Sequence, residues 1–221
     1  MLRLIGIAFI ALAFGASARA GGGDIEKVNG SIHLEANQTG GDLTTVNGSI
    51  RLGDGAHAAA LQTVNGSIDL GANAVAASAN TVNGHVTLAT SARIDKTVET
   101  VNGAITLHHN ADVAGKVTNV NGTLTLDAAH VGGGLETAGG DMEIGMGSRV
   151  EGGLMVDEPS RLSSWFAWFE RKPRIVIGPH AVVTGKIDIR REVDLFVSAS
   201  ATIDAVSGAK PIVFSGDTPS L

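Results

Sequence analysis

A four-residue motif recurs along this chain at an almost constant interval, and that interval restricts the fold more than any other feature. Thr-Val-Asn-Gly or a close variant places its valine at positions 28, 46, 64, 82, 101 and 120, so successive copies lie 18, 18, 18, 19 and 19 residues apart. Six copies in register indicate an array of equal structural units. A degenerate seventh copy, Thr137-Ala138-Gly139-Gly140, continues the array without the asparagine.

Each motif is followed by two apolar residues that flank one variable residue, and this alternation predicts a short β-strand with one buried face. The pairs are Ile32/Leu34, Ile50/Leu52, Ile68/Leu70, Val86/Leu88, Ile105/Leu107, Leu124/Leu126 and Met142/Ile144. Half a repeat away, a second apolar row comprises Leu43, Leu61, Ala79, Val98, Val117, Leu135 and Leu154. We therefore expect two short strands and two turns in each repeat.

Two architectures fit this pattern. Asn-Gly between apolar strands is typical of hairpin turns, so an antiparallel hairpin meander is one alternative. The constant repeat length favours a parallel β-helix, or β-solenoid, because stacked coils penalise any change of length. In that fold the asparagines would stack as a structural ladder, and each following glycine would supply a positive φ. The predicted ladder comprises Asn29, Asn47, Asn65, Asn83, Asn102 and Asn121.

The N-terminal segment 1–20 has the features of a secretory signal peptide. Arg3 precedes an apolar run from Leu4 to Phe14, and Ala18-Arg19-Ala20 forms a small-x-small cleavage site. We expect export to the periplasm, the outer-membrane surface or the extracellular space. The chain has no cysteine, so no disulfide framework is expected.

The charge of the chain argues against nucleic acid as a partner. Removal of the segment 1–20 lowers Lys+Arg from 16 to 14 against 22 acidic residues, which takes the formal net charge from -6 to -8. Contact with phosphates requires clustered lysine and arginine, whereas the basic residues here are scattered.

The strand pattern breaks in the segment 157–174, which predicts a short amphipathic helical insertion. Pro159 suits a first helical turn, Pro173 ends the run, and apolar residues follow helical spacing between them. The helix either folds back on the solenoid or docks on a membrane surface or partner, the second option being supported by flanking basic residues. The candidate interaction residues are Leu162, Trp165, Phe166, Trp168 and Phe169.

The strand pattern resumes after the insertion, and here two resemblances can be named. The segment Ile177-Gly178-Pro179 through Ile187 resembles the coils of bactofilins, the polymer-forming bacterial cytoskeletal proteins. The Thr-Val-Asn-Gly array resembles exported bacterial β-strand-repeat proteins of the adhesin-like type. These resemblances imply a right-handed β-helix with a structural or surface role and end-to-end assembly. The chain is thus divided into four parts. These are a signal peptide (1–20), solenoid repeats (21–156), an aromatic insertion (157–174), and C-terminal coils with a tail (175–221).

The sequence offers few candidates for chemistry. Asp141, Glu143 and Asp157 form the nearest acidic grouping, but alternating acids on a strand are typical of a solvated face. His108 and His109 are adjacent and would point to opposite faces of a strand, and His180 has no identifiable partner. We therefore expect no catalytic residues, no metal and no cofactor.

Three functional hypotheses remain. The first is a non-catalytic structural, scaffold or adhesion protein of the bacterial cell envelope, with self-assembly as one form of partner. The second is a carbohydrate-binding or carbohydrate-processing β-helix. The third, an ice- or crystal-binding solenoid, requires a flat Thr-x-Thr array, and Thr123-Leu124-Thr125 is the one match along the repeat strands.

Overall fold

The computed structural model describes residues 22–158 and 172–219, and these residues form one parallel β-solenoid. Each coil passes through up to three flat faces separated by corners. Two faces carry the strands predicted on either side of the Asn-Gly motif. The third face carries an additional strand, usually of two residues.

The strands fall into three stacks. The first-face strands are β1 Ile25–Asn29, β3 Leu43–Asn47, β5 His57–Asn65, β7 Val75–Asn83, β10 Val98–Asn102, β13 Val117–Asn121, β16 Leu135–Thr137, β19 Leu154–Val156, β22 Ile187–Ile189 and β25 Val206–Ser207. The second-face strands are β2 Ile32–Leu34, β4 Ile50–Leu52, β6 Ile68–Leu70, β8 Val86–Leu88, β11 Ile105–Leu107, β14 Leu124–Leu126, β17 Met142–Ile144, β20 Arg174–Ile177, β23 Asp194–Ser198 and β26 Ile212–Phe214. The third-face strands are β9 Arg93–Ile94, β12 Asp112–Val113, β15 His130–Val131, β18 Arg149–Val150, β21 Val182–Val183 and β24 Thr202–Ile203.

Every strand pairing within the described residues is parallel, which confirms the solenoid and shows that the hairpin meander was wrong. Equivalent residues of successive coils are paired directly, as in Leu43 with Leu61 and Ile50 with Ile68. The second-face sheet contains ten strands. At about 4.8 Å between neighbouring strands, its nine intervals give a rod ~43 Å long.

The interior is a continuous column of aliphatic side chains. The predicted Ile/Leu pairs and the apolar row half a repeat away are buried, as expected from their alternation. Leu61 and Ile68, for example, have no solvent exposure. Because both members of each Ile/Leu pair point inward, the variable residue between them lies on the outside.

The prediction of two strands per repeat was wrong because it missed the third face. On this face one residue per coil points inward, for example Ile94, Val113 and Val131, and all three are fully buried. β5 and β7 are long because each runs through the third face and the first face without a break. A row of buried small residues precedes the third face, where the chain turns tightly: Ala56, Ala74, Ala92, Ala111 and Ala129.

The predicted helical insertion lies largely outside the described residues, which contain no helix. The solenoid continues on both sides of it without a change of architecture. β17 pairs with β20 and β19 pairs with β22, so the coil before residue 158 is stacked directly on the coil after residue 172. The segment therefore interrupts the chain at the corner between the first face and the second face.

Candidate functional site

The six motif asparagines lie in one exposed row along the corner between the first and second faces. From Asn47 onward, each side-chain amide donates to the side-chain oxygen of the asparagine one coil earlier. Asn47 Nδ2 donates to Asn29 Oδ1 over 3.0 Å, and Asn65 Nδ2 donates to Asn47 Oδ1 over 2.9 Å. The remaining links, which join Asn83, Asn102 and Asn121 to their predecessors, measure 3.0, 3.1 and 3.2 Å. Each link uses one of the two amide hydrogens, so the row presents further N–H donors to solvent.

A second ladder, which the sequence pattern did not predict, lies inside the same corner. The motif threonine is buried, and its hydroxyl donates to the carbonyl oxygen of the motif glycine in the preceding coil. The distances are 3.0 Å from Thr45 to Gly30, 2.8 Å from Thr63 to Gly48 and 2.9 Å from Thr81 to Gly66. Thr100 makes the same bond, and Asn119 replaces it with an amide donor. The carbonyl groups of the corner that accept these bonds are thereby satisfied.

The expectation that each motif glycine adopts a positive φ was correct for Gly30 and Gly122 alone, where φ is 108° and 126°. The other four are required for close approach between stacked turns. A Cβ atom on Gly66 would lie 2.0 Å from the carbonyl oxygen of Gly48, and one on Gly103 would lie 1.9 Å from that of Gly84. The motif therefore demands glycine because neighbouring coils leave no space for a side chain.

The motif valines face outward between the buried threonine and the exposed asparagine. Val28 in the first coil is 52% exposed, and the later members are half-buried. They form an apolar strip beside the asparagine row, which comprises Val28, Val46, Val64, Val82, Val101 and Val120. The side chains that define the repeat are thus partly available for contact with another surface.

The third face carries a band of alternating charges. Arg93 lies 2.8 Å from Asp95 and 3.0 Å from Asp112, measured between side-chain nitrogen and oxygen. His130 contacts the other oxygen of Asp112, and Arg149 lies 2.8 Å from Glu151. The hydrogen bond from Arg149 lowers the pKa of Glu151, and the hydrogen bond to Asp95 raises the pKa of Arg93. Exposed pairs of this kind contribute little stability individually, so the band is a solvated face of mixed charge.

Ser67, His85 and Asp69 form the one Ser-His-Asp grouping that the geometry brings together within the described residues. Ser67 Oγ lies 3.0 Å from His85 Nδ1, but His85 Nε2 is 4.0 Å from Asp69 Oδ1. The Asp69 carboxylate also faces Arg51 at 3.5 Å. A carboxylate beyond hydrogen-bond distance does not orient the imidazole as a catalytic triad requires. The grouping lies open on the outer second face, where the imidazole is solvated.

The acidic residues singled out in the sequence have structural contacts. Asp141 Oδ1 accepts a 2.8 Å hydrogen bond from the backbone N–H of Arg174, which joins the coils on either side of the insertion. Asp157 Oδ1 lies 3.3 Å from Arg190 Nη1. Glu143 is exposed on the outer side of β17. Asp141 and Asp157 therefore have different partners, and Glu143 faces solvent.

The histidines singled out in the sequence lie at corners. His108 and His109 follow β11 in a turn and are both exposed, so the expectation that they occupy opposite faces of a strand was wrong. His180 lies at an equivalent corner with φ of 55°, and its backbone N–H donates to Ser200 Oγ. Among residues 22–158 and 172–219, no group of three or more His, Cys, Asp or Glu side chains is arranged to hold a metal ion.

A cleft of about 340 Å³ lies between the outer second face and the C-terminal tail. Glu143 and Val176 contribute from β17 and β20, and the corner residues Met146 and Pro179 border one side. The tail contributes Asp217, Thr218 and Pro219. This cleft could not be predicted from the sequence because its residues come from three separated segments.

The two ends of the solenoid differ. At the N-terminal end, Lys27 occupies the inward row in register with Thr45, and its ammonium group donates to the Ser31 carbonyl oxygen over 2.7 Å. At the C-terminal end, Val213 continues the inward row after Val197 but is 68% exposed. A charged side chain at an inward position disfavours pairing of another strand at a sheet edge, whereas an exposed apolar edge strand favours such pairing.

The candidate interaction residues Leu162, Trp165, Phe166, Trp168 and Phe169 lie outside the described residues. No helix within the described part of the chain is long and apolar enough to cross a membrane. No protein-family model matches the chain, and neither the curated proteins nor the solved structures contain a match.

Proposed function

We propose that this protein is an exported, non-catalytic scaffold of the bacterial cell envelope that associates end to end through its C-terminal edge. The observation that carries the proposal is the difference between the two ends. β24, β25 and β26 are the last strands of the three faces, and Val213 on β26 exposes an apolar side chain from the inward row. A second chain that stacked there would pair the unused backbone groups and cover that residue.

The two hydrogen-bond ladders along the solenoid support a mechanical role. The asparagine row and the buried threonine row both run parallel to the axis, and each adds one side-chain hydrogen bond between neighbouring coils. These bonds resist sliding of one coil on the next because a shift would break both side-chain hydrogen bonds that join those two coils. The half-exposed valine strip provides a surface for lateral or adhesive contacts along the same rod.

We further propose that the protein is exported from the cytoplasm and that its coil is right-handed. The signal-peptide features of residues 1–20 support transport out of the cytoplasm. The preference of parallel strand connections for a right-handed crossover supports a right-handed coil. The spacing of the aromatic residues supports an amphipathic helix in the segment 157–174, which would bring the scaffold to a membrane surface or partner.

The association is tested by sedimentation velocity of the mature protein and two matched variants. Val213→Lys places a charge on the C-terminal edge, whereas Thr106→Lys places the same charge on the outer side of β11, in the middle of the rod. We expect the wild type and Thr106→Lys to form larger species with rising concentration and Val213→Lys to remain a monomer. Wild-type protein that stays monomeric over the whole concentration range would contradict the proposal.

The location is tested by fractionation of tagged protein in a bacterial host. Protein with residues 1–20 should reach the periplasm, the envelope fraction or the medium, and protein without them should stay in the cytoplasm. Replacing Trp165 and Phe169 by alanine tests the aromatic segment. Release from the envelope fraction at an unchanged melting temperature indicates docking, whereas a lower melting temperature with unchanged location indicates packing on the solenoid.

A further inference from the structure

The cleft between the second face and the C-terminal tail contains an arginine with unused donors. Arg174 borders the cleft, and its guanidinium carbon lies 5.2 Å from the centroid of the Phe196 ring. Among the described residues, no acceptor bonds its Nε–H, which is buried. No described residue accepts from its terminal amino groups either, and these groups reach solvent. The cation–π contact holds the guanidinium in place and leaves its terminal donors for a ligand oxygen.

Two carboxylates complement this cation at the border of the cleft. Glu143 lies on the outer side of β17, and Asp217 lies on the tail. Both are exposed, and their oxygens accept hydrogen bonds from hydroxyl groups. The border of the cleft thus offers N–H donors and carboxylate acceptors side by side, which suits a neutral ligand with several donors and acceptors.

The remaining border of the cleft is apolar. Met146 is 52% exposed, and Val176 and Pro179 lie beside it. These side chains suit a small apolar group carried by an otherwise polar ligand. The cleft volume lies at the lower end of the range for small-molecule sites, which fits one or two sugar rings.

We infer that this cleft binds an acetamido sugar, that is, an N-acetylhexosamine unit. The acetamido carbonyl oxygen accepts from the Arg174 guanidinium, and the acetamido methyl group contacts Met146 and Pro179. The sugar hydroxyls donate to Glu143 and Asp217. The ligand is neutral, has both donors and acceptors, and carries one apolar group, as the three borders of the cleft require.

This inference goes beyond the scaffold role and does not rest on it. A monomeric protein that binds the sugar would contradict end-to-end association and leave the cleft assignment intact. A protein that associates end to end but binds no sugar would contradict the cleft assignment and leave the association intact. The sedimentation experiment and the sugar titration therefore test the two proposals independently.

The test is calorimetric titration of the mature protein with N,N′-diacetylchitobiose and with cellobiose, which lacks the acetamido groups. We expect diacetylchitobiose to bind and cellobiose to bind at least about tenfold more weakly. Cellobiose offers no acetamido oxygen to the guanidinium and no methyl group to the apolar border. Arg174→Met should weaken diacetylchitobiose binding by about tenfold or more. Arg149→Met, an arginine of the third face, serves as the matched control and should bind like the wild type.

Glu143→Ala provides a second variant because Glu143 is exposed and its removal leaves the core intact. It should also weaken diacetylchitobiose binding, even if Arg174→Met fails to fold. Co-sedimentation with chitin and with peptidoglycan then identifies the polymer, since both contain the acetamido group. Absence of diacetylchitobiose binding at millimolar concentration, equal binding of the two disaccharides, or unchanged binding in both cleft variants would overturn the inference.

Discussion

The hydroxyl group of Thr63 donates a 2.8 Å hydrogen bond to the carbonyl oxygen of Gly48, fifteen residues earlier in the chain. The same bond joins the motif threonine of one coil to the motif glycine of the coil before it at three further positions. The threonine is therefore part of the motif because it satisfies a carbonyl group inside the solenoid. Because of this relationship, the corner between the first and second faces restricts residue type more than any other part of the repeat.

Replacing Thr63 by valine should destabilise the protein by about 1–3 kcal/mol, because the shape of this fully buried side chain is retained while the partly buried Gly48 carbonyl group loses its donor. Thr44→Val is the matched control, since Thr44 faces outward on the same strand and should change stability by less than about 0.5 kcal/mol. Urea unfolding measures both variants. Equal effects of the two substitutions would mean that the buried hydrogen bond contributes nothing specific.

Replacing Gly66 by alanine should destabilise the protein more than the threonine substitution does. The new Cβ would lie 2.0 Å from the Gly48 carbonyl oxygen, so two backbone turns must move apart. Gly23→Ala is the control because a Cβ there meets no atom within 4 Å. Thermal unfolding should show a large loss for Gly66→Ala and almost none for Gly23→Ala. A tolerated Gly66→Ala would show that the coils are not stacked this closely.

Replacing Asn65 by alanine should cost about 1–2 kcal/mol, because two ladder hydrogen bonds are lost. Asn121→Ala removes one link at the end of the described ladder and should cost about half as much. Asn65→Asp loses the donor to Asn47 and opposes two oxygens, so it should destabilise at neutral pH and recover stability as acid protonates the new carboxyl group. Melting temperatures across pH measure all three, and an equal cost for Asn65→Ala and Asn121→Ala would argue against a continuous ladder.

The core and the stacking could be predicted from the sequence because their signals are periodic. Ile68 and Leu70 flank one outward residue in a strand whose pattern repeats every 18 residues, so burial and register follow together. The third face could not be predicted in this way. β12 is two residues long, and a single inward residue such as Val113 produces no alternation.

The cleft and the charge band could not be predicted because their residues lie far apart in the sequence. Arg174 comes 33 residues after Asp141, and the intervening segment interrupts the 18-residue period. His130 and Asp112 are 18 residues apart, but their contact depends on a face that the pattern did not reveal. The reason for the motif glycine was also misjudged, since sequence alone does not separate positive φ from close approach.

Acidification should reduce stability in part through Glu151. The hydrogen bond from Arg149 holds the pKa of Glu151 below its ordinary value, so the pair contributes stability above the unfolded-state pKa. That contribution is lost as the pH falls through the lowered pKa. Glu151→Gln should therefore show a smaller decrease in melting temperature between about pH 5 and pH 3 than the wild type. Glu26→Gln on the first face is the control, and an identical acid response of Glu151→Gln and the wild type would contradict the prediction.

Among the motif repeats, each coil lies directly on the coil 18 or 19 residues before it, and disulfide formation between engineered cysteines tests this stacking most directly. The natural chain has no cysteine, so paired substitutions give an unambiguous result. Thr44→Cys combined with Gln62→Cys joins neighbouring coils in register, whereas Thr44→Cys combined with Asn80→Cys spans two coils. Neighbouring strands bring Cα atoms to about 4.8 Å, within disulfide range, and two intervals exceed it. We predict an intramolecular disulfide in the first variant and none in the second under mild oxidation. Failure of the first pair to form a disulfide, or equal formation in both, would contradict the stacked parallel architecture.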